Sequence, residues 1–189
     1  INRVLNKLAR EIIYFLIKCK NNRILLMHES SSGSNTYALL KFATDIDNKK
    51  YEIISFYDSE PKTLIEFIRK HKLLASAKLI ITTHASYKPS KKNIHLQLWH
   101  GPFIKKNGVM CDDRFKKDLF GRRSSWKKVD HILSYSETYT TFFNACMVTD
   151  PDKYVITGAP RNDFLFSSDG KSHVNKIFGK KTEGFKTIL

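Results

Sequence analysis

Residues 93–108, NIHLQLWHGPFIKKNG, decide how the rest of the chain is read. The apolar run from Ile94 to Trp99, with Gln97 inside it, has the composition of a strand. It ends abruptly at Trp99-His100-Gly101-Pro102, and Lys105 and Lys106 follow. A strand that stops in a Gly-Pro turn with a histidine at its end holds a reactive group at the edge of a sheet. In open α/β sheets, ligands bind beyond the carboxyl ends of the strands. A histidine beside a tryptophan at a strand end is also often a hydrogen-bonded core residue, so the reading of His100 rests on its surroundings.

Working outward, compact apolar runs recur at 23–28 (RILLMH), 51–57 (YEIISFY), 78–83 (KLIITT), 131–135 (HILSY) and 154–158 (YVITG), and each reads as a strand. Helical patterns fall between them. Residues 35–45 follow the Gly/Ser loop 29–34, Pro61 opens a helix over 61–74, and Ser136 caps one over 136–147 with Glu137 in its first turn. Residues 112–128 read as helix and loop, and 172–178 as a short helix. Strands alternating with helices predict an α/β fold, a Rossmann-like, mostly parallel sheet covered on both faces. Strand, Gly/Ser loop and helix at 23–45 form the opening of a βαβ unit, where helix amides face an anion. No GxGxxG occurs, so the nicotinamide fingerprint is absent.

Ahead of the first strand, Val4, Leu5, Leu8, Ile12, Ile13, Leu16 and Ile17 recur with helical period, flanked by Arg3, Lys7, Arg10 and Lys18. Two readings stand: a helix packed on its own domain, or one lying in a membrane interface. The chain opens on Ile1 rather than Met, which leaves open whether a leader precedes it. No apolar run reaches the roughly 20 residues of a spanning helix. Cys19, Cys111 and Cys146 are odd in number and far apart, with no CxxC and no zinc-finger spacing, which points to a reducing cytoplasm.

The 189 residues hold 33 Lys and Arg against 18 Asp and Glu, a net charge of +15. Such a balance calls for an anionic partner: nucleic acid, phospholipid headgroups or a phosphate-rich substrate. The densest basic stretch is Arg114, Lys116, Lys117, Arg122, Arg123, Lys127 and Lys128, interleaved with Phe115, Phe120 and Trp126. It reads as a solvated face or as a contact for an anionic membrane. A nucleic-acid module is the main rival, but no RNP, KH or helix-turn-helix signature accompanies the charge.

Two predicted strand ends carry candidate chemistry: WHGPFIKK after the 94–99 run and GAPRND at 158–163. In a parallel sheet both emerge on one side. That brings His100, Lys105, Lys106, Arg161 and Asp163 toward one cleft, with the loop that holds Gly33 and the Asn35 beside it. Histidine takes a proton near neutral pH, and lysine and arginine neutralise phosphate. The alternative for Arg161 and Asp163 is an ion pair that fixes their own turn.

Trp99-His100-Gly101, Lys105 and Gly108, followed by Gly158-Ala159-Pro160-Arg161-Asn162-Asp163, resemble the paired blocks of the CDP-glycerol glycerophosphotransferases of teichoic acid and capsule synthesis. Supporting features are the loop from Gly33 to Asn35 and the Ser134-Tyr135-Ser136-Glu137 run. Pro102 stands where the family has Thr, which removes a hydroxyl and an amide.

The resemblance implies a GT-B architecture of two Rossmann-like domains facing a cleft. It divides the chain into an amphipathic helix over 1–22, an acceptor-side domain over 23–178, and a linker plus the first strand of a donor-binding domain over 179–189. It implies that His100 is the general base and that Gly33, Asn35, Gly101, Lys105, Lys106, Arg161 and Asp163 bind substrate. The reaction implied is transfer of glycerol phosphate from CDP-glycerol to a hydroxyl of a lipid-linked, polyanionic acceptor, with CMP leaving. CDP-ribitol or a nucleotide sugar is the alternative donor. No cofactor, metal or nucleic acid is implied. The place implied is the cytoplasmic face of the membrane, with the basic stretch against anionic lipid.

Overall fold

The six apolar runs form one parallel sheet in the computed structural model, which describes residues 3–28, 35–43, 50–84, 87–101, 107–110, 126–167, 170, 172, 175–176 and 179. The strands are β1 (Lys20–His28), β2 (Glu52–Tyr57), β3 (Ala77–Thr82), β4 (Ile94–Gln97), β5 (His131–Ser134) and β6 (Tyr154–Ile156). Their order is β2-β1-β3-β4-β5-β6, and every neighbouring pair is parallel. The central runs are continuously apolar because helices cover both faces. On one face Leu25, Met27 and Ile80 pack with Leu74 and Ala77; on the other Leu26, Ile81, Leu98 and Leu133 form a second cluster. Each leucine, isoleucine or methionine among them contributes about 1.5–3 kcal/mol by leaving water.

β1 begins at Lys20, earlier than the apolar signal at Arg23, so the expected break at residue 22 falls inside a strand. Its first residues Lys20, Asn21 and Asn22 are exposed and carry no hydrophobic pattern. The helix before it, α1 (Arg3–Leu16), rests on α3 (Leu64–Ser76). Tyr14 and His71 share a 2.7 Å hydrogen bond there, with their rings edge to face. Val4, Leu5, Leu8, Phe15 and Leu16 nevertheless stay exposed, Phe15 at 88%, so the helix is docked along one edge and leaves much of its apolar stripe uncovered. No described helix is long and apolar enough to cross a membrane.

Pro61 does not open α3. The helix is capped by Thr63, whose hydroxyl accepts the Glu66 N–H while the Glu66 carboxylate reaches back to the cap amide, and this capping box sets the start. At the other end the buried Asn93 donates to the Ala77 carbonyl at 2.6 Å and thereby joins the end of α3 to the entry of β4. On the opposite face α2 (Asn35–Phe42) lays Leu39 and Leu40 over the second cluster.

α4 (Glu137–Met147) starts as its sequence predicts, with the Ser136 hydroxyl accepting the Tyr139 N–H at 3.1 Å. It closes on Val148, held in the left-handed region at φ 51°. Its Phe143, Cys146 and Met147 build a third cluster with Trp99, Trp126, Val129 and Ile132. Trp126, read as part of the basic surface, is therefore core. A single turn of 3-10 helix over Pro160–Asp163 and a short helix α5 (Phe164–Ser167), neither anticipated, follow β6. Phe164 stacks on Phe42 at 5.0 Å, which ties that end of the chain to α2. The expected helix over 172–178 lies largely outside the described residues, as does the expected linker over 179–184. The strand expected over 185–189 lies wholly outside them.

The chain leaves β1 toward β2 on one side and returns to β3 on the other. The carboxyl ends of β1 and β3 therefore frame the switch point, where sheets of this type take their ligands.

Candidate active site

β4 ends by turning Trp99 into the left-handed region at φ 55°, a conformation that costs on the order of 1–3 kcal/mol for a residue with a side chain. Two wholly buried amides hold it there. The Gln97 Oε1 accepts the Trp99 N–H at 3.1 Å, and the Asn35 Nδ2 donates to the Trp99 carbonyl at 2.9 Å. The Trp99 ring is fixed in turn by Trp126 and Phe143, with centroids 5.6 and 5.4 Å away. The turn is thus clamped through backbone and side chain, and it delivers the next residue, His100, to the surface.

His100 is exposed, and its ring is flanked by two stacked rings, Trp99 at 4.3 Å and His84 at 4.4 Å. The Arg161 Nη1 donates to the His100 carbonyl at 2.7 Å. The next carbonyl, that of Gly101, accepts the Tyr139 hydroxyl at 2.9 Å. Gly101 is buried, and a Cβ there would stand 3.3 Å from the Arg161 Nη2, so the glycine makes room for the guanidinium. Burial pushes the Tyr139 and Tyr135 phenols up, which keeps both hydroxyls protonated as donors.

The second block reaches the same place from β6. Thr157 and Gly158 both donate their N–H groups to the Ser134 carbonyl at 3.2 Å. Gly158 sits at φ 80° with open space around it, so backbone conformation rather than room selects glycine. The turn it makes carries Arg161 over β4, and the Arg161 N–H donates to the Asn35 Oδ1 at 3.3 Å.

Of the residues singled out in the sequence, His100, Gly101, Arg161 and Asn35 come together. Asn35 was expected at the substrate. Its side chain is instead wholly buried and joins the two turns from behind. Asp163 is exposed at the end of the 3-10 turn. Gly33, Lys105, Lys106, Arg114, Lys116, Lys117, Arg122 and Arg123 lie outside the described residues. Lys127 and Lys128 are exposed ahead of β5, at the amino end of the sheet and so at the edge opposite His100. Among the described residues no three His, Cys, Asp or Glu side chains gather as a metal site.

Sequence reasoning missed His84 and Tyr139, and it named Gln97 and Tyr135 without giving either side chain a role. The polar Gln97 inside an apolar strand was a visible signal. The importance of His84 depends on β3 lying beside β4, which no local pattern reveals.

A profile of the family described as CDP-Glycerol:Poly(glycerophosphate) glycerophosphotransferase matches residues 7–185. A search of curated protein sequences returned no match. Among solved structures, a histidine-to-alanine variant of the wall teichoic acid polymerase TagF superposes with a TM-score of 0.72 at 13% identity, covering 97% of this chain and 52% of that one. TagF without a named substitution gives 0.69 at 12% identity, over 97% and 50% of the two chains. A histidine-to-asparagine variant soaked with CDPG for 15 minutes gives 0.71 at 12% identity, over 97% and 52%. The fold is shared, and the present chain spans about half the length of the TagF chains it matches.

Proposed function

The chain belongs to the CDP-glycerol:poly(glycerophosphate) glycerophosphotransferase family, and from that premise we propose that the full-length protein moves glycerol phosphate from CDP-glycerol to a hydroxyl of a polyol-phosphate acceptor. The observation that carries this reading is the mounting of His100: an exposed imidazole at a strand's carboxyl end, stacked on Trp99 and anchored at its carbonyl by Arg161. A general base must be reachable by the acceptor and fixed in direction, and a base so placed contributes about 10²–10⁴-fold.

In the reaction, His100 takes the proton of the acceptor hydroxyl as its oxygen bonds to the β-phosphorus of CDP-glycerol. The bond from that phosphorus to the CMP oxygen breaks, and CMP leaves. Charge on the transferred phosphoryl group needs cationic or amide partners. Arg161, and Lys105 and Lys106 from the segment after His100, are the candidates on this chain. In a GT-B arrangement this domain forms the acceptor wall of the cleft, and a second domain holds most of the donor.

The acceptor we propose is lipid-linked, with the protein held peripherally at a membrane. Two features support this. The net charge of +15 suits an anionic leaflet, at about 1 kcal/mol for each Lys or Arg near the surface. The uncovered stripe of α1 suits insertion at the headgroup boundary.

The test is His100→Ala in the full-length protein, with CMP release measured on CDP-glycerol and CDP-ribitol and UDP release measured on UDP-sugars. CMP release from CDP-glycerol by the parent and its loss in the variant, with circular dichroism and melting unchanged, is the expected result. Near-normal turnover in the variant overturns the assignment. Sedimentation with anionic vesicles at physiological salt tests the membrane reading, which fails if the protein stays in the supernatant.

A further inference from the structure

We propose that His84 is a positioning residue for His100, holding the base in line. The inference rests on the reading of His100 as the base. Three observations carry it.

The first is place. His84 follows β3 directly, at the carboxyl end that frames the switch point with β1, and β3 is the neighbour of β4. Thr82 pairs in register with Gln97, so the two turns leave the sheet side by side. The second is anchorage. The buried Gln97 side chain donates to the His84 carbonyl at 3.4 Å and accepts the Trp99 N–H at 3.1 Å. One amide therefore sets the spacing between the two histidine turns. The His84 ring is held as well, its Nδ1 sharing a 2.9 Å hydrogen bond with the hydroxyl of the buried Thr83. The third is geometry: the two imidazoles stack at 4.4 Å with only 13° between their planes.

An exposed imidazole without such support turns about two side-chain bonds. Flanked by Trp99 and His84, His100 has its plane fixed, which removes the misalignment that reduces rate when a base is displaced. Proton transfer then leaves an imidazolium whose ring stays held between the indole of Trp99 and the imidazole of His84. The alignment acts on the step that moves the proton and does not involve holding the donor. Loss of the ring therefore lowers kcat and spares KM for the donor.

The experiment measures CMP release by the full-length protein with His84→Ala and His84→Phe, beside His100→Ala. His84→Ala is expected to lower kcat about 10–100-fold with KM for CDP-glycerol changed by less than about twofold. His84→Phe, which restores a flat ring without nitrogens, should recover at least about a third of the parental kcat, since the stack rather than a hydrogen bond is what it supplies. Turnover of His84→Ala within about threefold of the parent overturns the proposal, as does a His84→Phe variant no faster than His84→Ala. Full turnover in His84→Ala with none in His100→Ala overturns this inference alone. Turnover retained in His100→Ala overturns the base assignment beneath it.

Discussion

Asn35 and Arg161, 126 residues apart, meet where the Arg161 N–H donates to the Asn35 side-chain oxygen. The amide nitrogen of the same side chain donates to the Trp99 carbonyl at 2.9 Å, so one buried group spans the WHG turn and the PRND turn. The two turns also meet directly, where the Arg161 Nη1 donates to the His100 carbonyl at 2.7 Å. Their spacing is held twice, by the buried Asn35 amide and by the hydrogen bond from the Arg161 guanidinium to the His100 carbonyl.

Asn35→Ala removes the side chain that serves the Trp99 carbonyl and the Arg161 amide. The expected cost is about 1–3 kcal/mol for the unsatisfied groups, read as a lower urea midpoint. Asn35→Asp is expected to be worse than Asn35→Ala, because a carboxylate would face the Leu98 and Trp99 carbonyls now served by the amide nitrogen. A midpoint unchanged in both variants would refute the clamp.

Arg161 contributes through geometry as much as charge. Its Nη1 holds the His100 carbonyl while Nη2 lies against Gly101, a fork that an ammonium cannot reproduce. Arg161→Lys should therefore lose activity despite keeping its charge. A lost charge-assisted hydrogen bond of about 1.5–3 kcal/mol corresponds to roughly 10–100-fold in kcat/KM, measurable by CMP release. Parental activity in Arg161→Lys would show that charge alone suffices.

Gly108 closes the stretch that opened the sequence reading, and its requirement is steric. It sits at φ 56°, and a Cβ on it would fall 2.0 Å from the Cys146 carbonyl oxygen, which is backbone and cannot swing aside. Gly108→Ala is expected to destabilise the fold by about 3 kcal/mol or more, since strain and clash act together. Gly101→Ala is the milder change, because its neighbour at 3.3 Å is the end of a flexible arginine. Melting curves of the two variants should separate clearly, with Gly108→Ala the lower.

The sheet was legible because all six strands carry compact apolar runs separated by helical patterns, and parallel strands buried on both faces must read that way. What failed to show was whatever depends on neighbours distant in the chain. The polar opening of β1 at Lys20 has no hydrophobic signal, and it belongs to the strand through its pairing with Ala77. One miss was local: Pro61 suggested a helix start that the capping box of Thr63 and Glu66, three residues apart, decided instead. Trp126 sits among lysines in sequence yet packs on Trp99 in space. Of the site, the sequence exposed both strand-end blocks. It did not reveal that Asn35 faces inward or that His84 stands beside His100, because both follow from strand order.

His95, on the strand that presents His100, makes the fold sensitive to acid. It is wholly buried; its Nε2 shares a 2.9 Å hydrogen bond with the Thr82 hydroxyl, and among the described residues its Nδ1 has no partner. Burial lowers its pKa to about 4, with Asp130 pulling it back up and Lys88 pushing it further down. In the unfolded chain a histidine titrates near pH 6.5, so between about 6.5 and 4 the unfolded state binds the extra proton. Stability therefore falls as pH drops through that window, by about 1.4 kcal/mol for each unit of depression. His71, also lowered to about 4 by burial, adds in the same direction. Urea midpoints at pH 7, 5.5 and 4.5 should decline, and His95→Gln, which keeps an amide for the Thr82 hydroxyl and carries no titrating ring, should flatten the decline. If the slope in His95→Gln equals that of the parent, the acid sensitivity belongs to His71, to His28, whose pKa burial also lowers, or to the carboxylates, and not to β4.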